Sequence, residues 1–81
     1  MNEKTRETFH SFLTANGWVV TLNGRKMSRH ETQAESEAAA IVAAFKAYEN
    51  GGLGKAVLHE SDGWIREERT YGRDDPKSKS D

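Results

Sequence analysis

No cysteine occurs in the 81 residues, which excludes a disulfide framework, thiolate catalysis and Cys-ligated zinc. That absence suits a reducing cytoplasm, the expected location. Proline occurs once, at Pro76, so nothing before it is broken by a missing backbone donor. Hydrophobic residues make up only 35%, enough for a thin core of one helix on one sheet. No apolar run approaches the roughly 18 residues of a membrane span, and the opening MNEKTRETFH lacks the apolar stretch of a signal peptide. Neither sign of charge dominates, with 12 basic and 13 acidic residues. Five basic residues against three acidic precede Thr32, one against three lie from Thr32 to Asn50, and six against seven follow. Such a distribution is not the basic footprint of a dedicated nucleic-acid binder.

What is present is a helix with both ends marked. Thr32 and Glu35 have capping-box spacing, and Asn50-Gly51 supplies a stop with Gly51 in a left-handed cap. Between them Ala34, Ala38, Ile41, Phe45 and Tyr48 recur at helical spacing as the expected buried stripe.

The flanks read as strands. Trp18, Val20 and Leu22 alternate on one face of a strand. Asn16-Gly17 and Asn23-Gly24 are hairpin turn dipeptides. Lys26 to His30 is a short polar return suited to a sheet edge. Phe9, Phe12 and Leu13 fit a helical turn and a strand equally well, and local pattern leaves both open. After the helix, Gly51 to Gly54 form a turn, Lys55 to Glu60 a strand, Ser61-Asp62-Gly63 a tight turn and Trp64 to Tyr71 a second strand. On that last strand Ile65, Glu67, Arg69 and Tyr71 are expected on one face, with Ile65 and Tyr71 as core contacts. Residues 1–7 are expected to be flexible, 8–72 to form a single domain, and the polar tail 73–81 to be disordered.

Three stretches carry a family resemblance: Asn16-Gly17-Trp18-Val19-Val20, Glu31 to Ala38, and Asp62-Gly63-Trp64 through Tyr71-Gly72 with Asp75-Pro76. In this order and spacing the chain resembles the small bacterial and phage family named domain of unknown function 2188. Two features depart from the family pattern. Ser36 precedes the alanine run where Ala is usual, and both Arg73 and Asp74 separate Tyr71-Gly72 from Asp75-Pro76. The resemblance implies a strand over residues 8–14. It carries no catalytic residue across, because the family itself is uncharacterised.

The chemistry-bearing residues form no recognisable constellation. His10, His30 and His59 lie in three different elements without metal-ligand spacing, and are expected to be solvent-facing or at strand edges. There is no nucleophile elbow, Walker loop or dinucleotide fingerprint. Gly51 to Gly54 follows a helix instead of preceding one, so its amides lack a helix N-terminus to bind phosphate. The adjacent carboxylates Glu67 and Glu68 point to opposite faces of a strand, which rules them out as an acid–base couple. Trp18 and Trp64 each follow a turn glycine. Trp18 is assigned to the core, while Trp64 is open between core and surface.

The sequence thus predicts an α+β domain, one long helix on a mainly antiparallel sheet of four to five strands in the order β-β-β-α-β-β. It points to a small non-enzymatic interaction module without cofactor or metal, serving a protein partner or a homodimer and no membrane. Arg29, Trp64, Arg66 and Tyr71 are the candidate surface on the sheet face and edges away from the helix. The alternative is a nucleic-acid-binding accessory protein.

Overall fold

A computed structural model describes residues 6–72; the expectations for residues 1–5 and 73–81 lie outside the described residues. The chain order is β1 (Arg6–Thr14), β2 (Gly17–Leu22), β3 (Arg25–His30), α1 (Gln33–Glu49), β4 (Leu53–His59) and β5 (Ile65–Tyr71). The five strands form one sheet in the order β3-β2-β1-β4-β5. All pairs are antiparallel except β1 with β4, which run parallel. The crossover from β3 through α1 to β4 creates that pairing, as parallel neighbours require a long connection. Residues 8–14 are strand, and β1 begins at Arg6, two residues before the expected domain start, because Arg6 and Glu7 already pair with Leu53 and Gly54.

The turns follow their chemistry. Asn23 and Gly24 both have positive φ, 50° and 91°, the combination a type I′ hairpin turn requires. The first hairpin closes one residue earlier than the Asn16-Gly17 dipeptide suggests: Thr14 pairs with Gly17, leaving Ala15 and Asn16 as the loop. Thr14 Oγ1 accepts from the Asn16 amide and donates to the Gly17 carbonyl, which fixes that tighter loop.

Both helix ends form as expected. Thr32 Oγ1 accepts from the Glu35 amide at 3.1 Å, removing one orphan donor of the first turn. At the other end Gly51 N–H donates to the Tyr48 carbonyl and Gly52 N–H to the Ala47 carbonyl, the paired bonds of a Schellman motif. Gly51 has φ +98°, a conformation that favours glycine.

The buried stripe of α1 differs from the expected one. Ser36, Ala40, Ala44 and Ala47 are buried, while Ala34 and Ala38 are exposed and Phe45 and Tyr48 are 41% and 46% exposed. Small residues occupy the line of contact because the helix sits directly on Gly54 and Ala56 of β4. A Cβ on Gly54 would lie 1.9 Å from the Ala44 carbonyl oxygen. Phe45 reaches past the helix flank to stack edge-on against Tyr71 at 5.4 Å. The core joins Phe9, Val20, Ala40, Ala44, Ala47, Ala56 and Leu58. At its end Ser11 and Ser36, both fully buried, lie 2.7 Å apart through their hydroxyls.

Candidate functional site

Alternation along the strands divides the sheet into a helix-covered face and an open one. Phe9, Val20, Ala56 and Leu58 belong to the core under the helix. The register therefore sets His10 and Phe12 of β1, Val19 and Thr21 of β2, and Lys55, Val57 and His59 of β4 on the opposite face. No helix or second sheet covers that face among the described residues.

Two irregularities re-aim the edges. The register of β5 against β4 slips between Leu58 and His59, so Glu67 pairs with Leu58 and Ile65 with His59, and Arg66 is the extra residue. Such a bulge turns the following side chains over. Ile65, expected in the core beside Tyr71, instead lies opposite His59 on the open face and is exposed. Arg66 turns towards the helix and binds Glu37. A second slip between Val20 and Thr21 makes Met27 the extra residue of β3.

The four residues proposed from the sequence do not form one surface. Arg29 sits on edge strand β3, donates to the Asn16 carbonyl and pairs with Glu31 at 3.5 Å. Trp64, Arg66 and Tyr71 lie at the far edge, separated from β3 by four interstrand steps of about 4.8 Å. Tyr71 is on the helix side against Phe45, and Arg66 is on that side with Glu37. Trp64 alone stands fully clear, 77% exposed at the head of β5. Its amide donates to Asp62 Oδ1 and its carbonyl accepts from the Glu60 amide, so the turn holds its backbone in place. The other tryptophan, Trp18, is buried as expected.

What the structure does bring together is His10 and His59. They are 49 positions apart in sequence but lie on adjacent parallel strands, with His10 Nδ1 2.9 Å from His59 Nε2. The rings stack at 5.1 Å, and Phe12 meets His59 edge-on at 6.1 Å. The far nitrogen of His59, Nδ1, lies 2.9 Å from the Gly63 carbonyl. A carbonyl only accepts, so His59 Nδ1 carries a proton. Neutral His59 then offers its Nε2 lone pair, and His10 Nδ1 donates to it. Burial lowers the pKa of His10 below its ordinary 6.5, with His59 and Lys55 acting in the same direction and Glu68 against it. Beside the pair, Lys55 is matched with Glu68 at 3.3 Å. His30, the third histidine, is on β3 bonded to Ser28. No local spacing links His10 to His59; only the parallel pairing of β1 with β4 reveals them.

Among the described residues no group of three His, Cys, Asp or Glu side chains is gathered for a metal, and no helix is long and apolar enough to cross a membrane. The open face therefore presents an imidazole–aromatic cluster of His10, Phe12 and His59 continuous with Ile65, flanked by the matched pair Lys55–Glu68.

No match was found among curated proteins or among solved structures. One family model, described as uncharacterized protein conserved in bacteria (DUF2188), matches residues 9–71, from the first core residue of β1 to the last residue of β5. Because that match covers the sheet, the helix and both hairpins, the chain belongs to the DUF2188 family.

Proposed function

We propose that this domain is a non-enzymatic binding module that takes a protein partner at the exposed start of β5, with Trp64 as the anchor. The observation that carries this reading is the exposure of Trp64, 77%, at the head of β5, followed in the chain by Ile65, which is exposed as well. An exposed aromatic whose backbone is held by a turn is the kind of side chain that anchors protein interfaces, and Ile65, next in the chain, adds exposed apolar area. Nucleic acid is the weaker partner class. On the open sheet face Arg29 is matched by Glu31 and Lys55 by Glu68, and Lys26, in register with Thr21, adds positive charge at the β3 edge without the clustering that phosphates favour.

The test is cross-linking of the domain in its host, followed by purification of the captured protein and measurement of its affinity for wild type and Trp64→Ala. The expected loss is about 30-fold or more, the level of an interface hot spot of about 2 kcal/mol, with an unchanged melting temperature. Equal affinity of the two forms overturns the reading. Concentration-dependent dimers in light scattering, or salt-sensitive oligonucleotide binding, would replace the partner protein with a second copy or a nucleic acid.

A further inference from the structure

The His10–His59 pair has a property that a plain surface hydrogen bond does not need. Two imidazole nitrogens from different strands, His10 Nδ1 and His59 Nε2, are aimed at one point with a single proton between them. The opposite nitrogen of His59 is fixed by the Gly63 carbonyl, the backbone hydrogen bond that orients histidine ligands in metal sites and sets their tautomer. Phe12 covers the flank of His59, giving an apolar wall beside the donor atoms.

We propose that this point is a two-histidine site for a borderline divalent transition ion of the zinc, nickel and copper class, which takes the place of the shared proton. At metal–nitrogen distances of about 2.0–2.1 Å, tetrahedral geometry sets two nitrogens about 3.4 Å apart. The present separation of 2.9 Å therefore has to open by about half an ångström, with a small swing of each ring. Imidazole donors favour these ions over magnesium and calcium, which require oxygen. Because no third metal-ligating side chain joins the pair among the described residues, water completes the coordination and the site is open.

Protons balance without a redox step. The ion takes the lone pairs of His59 Nε2 and His10 Nδ1. The proton on His10 Nδ1 leaves to solvent, and His10 Nε2 carries one instead, so both rings remain neutral. The nearest charges, Lys55 and Glu68, are matched to each other and add little net field. This site stands independently of the docking reading, since it requires only the two strands and the Gly63 turn.

The experiment uses the full untagged chain, stripped with EDTA and dialysed, titrated calorimetrically with copper, nickel and zinc. One ion per chain is expected, with copper tightest. Affinity should fall more than about tenfold in His10→Gln and in His59→Gln, since even outer-shell losses cost about 10–100-fold. His30→Gln should bind as wild type, and magnesium and calcium should not compete. Should a variant fail to fold, 15N shifts of the histidine rings in the wild type decide. Zinc must move His10 Nδ1 and His59 Nε2 and must switch the His10 tautomer. Binding that is indifferent to both substitutions, equal loss in His30→Gln, or unmoved ring shifts overturns the site.

Discussion

Gly54 of β4 touches the backbone of Ala44 so closely that a methyl group on the glycine would stand 1.9 Å from the Ala44 carbonyl oxygen and 2.7 Å from its carbon. Helix backbone cannot yield as a flexible side chain does. Gly54 has no positive φ, so its absence of a side chain, and not its conformational freedom, is what the fold uses. Gly54→Ala should destabilise the domain by about 3 kcal/mol or more, the upper end of core overpacking. With about 4–8 °C per kcal/mol in a domain of this size, thermal unfolding should begin more than 10 °C lower. A melting temperature within 2–3 °C of wild type, roughly half a kcal/mol, would mean that the helix is not seated on β4.

The same contact reverses the usual ranking of helix residues. Ala44 is fully buried, while Phe45 is 41% exposed and meets Tyr71 from the flank. Ala44→Leu should abolish cooperative unfolding, because three added carbons meet the β4 backbone. Phe45→Ala should retain it, losing an aromatic pair of about 0.5–1.5 kcal/mol and some buried area. Circular dichroism melts of the two variants check the order, and a Phe45 variant less stable than the Ala44 variant contradicts it.

That reversal shows what was legible in the sequence. The existence and ends of α1 were written in Thr32, Glu35, Asn50 and Gly51, because caps are local chemistry. The order of six elements was also local, since Asn23-Gly24 and Asp62-Gly63 mark their own turns. The buried face of α1 was not. Hydrophobicity selected Phe45 and Tyr48, whereas the sheet selected residues small enough for close approach, and that preference resides in Gly54 and Ala56. Likewise Ile65 and Arg66 changed faces through a bulge, which alternation cannot foresee. His10 and His59 met only through a parallel pairing across a helix, where spacing in sequence carries no information. Of the surface proposed from the sequence, Trp64 stands exposed and the others are matched or turned towards the helix.

Ser11 and Ser36 form a buried polar pair in the helix–sheet contact. Ser36 Oγ lies 3.3 Å from the Val19 carbonyl, to which it donates. Its proton thus used, it must accept from Ser11 Oγ at 2.7 Å. Ser36→Ala would leave the Ser11 hydroxyl buried without its acceptor, at a cost of about 1–3 kcal/mol. Ser11→Ala should cost less, since Ser36 keeps Val19. The double variant should be no less stable than Ser36→Ala alone, because no hydroxyl remains stranded. Urea unfolding of the four proteins gives the coupling; additive losses would show that the two hydroxyls are not bonded.

The His10–His59 pair sets an acid limit on the metal-free fold. In its present geometry it holds one proton between two nitrogens 2.9 Å apart, and a second proton there would set two donors against each other. The groups facing His10 are His59, Lys55 and Glu68, of which the first two oppose its charging and the third favours it. With burial adding to the first two, His10 titrates below 6.5 in the folded chain. The unfolded state then binds more protons in this window, so stability rises with pH there. The contribution is complete above pH 6.5 and is lost as pH falls from 6.5 through the lowered pKa. In EDTA, the melting temperature of the wild type should therefore drop more steeply between pH 7 and 5 than that of His10→Gln, which has no proton to gain. Parallel profiles for the two proteins would show that His10 is as easily charged in the fold as outside it.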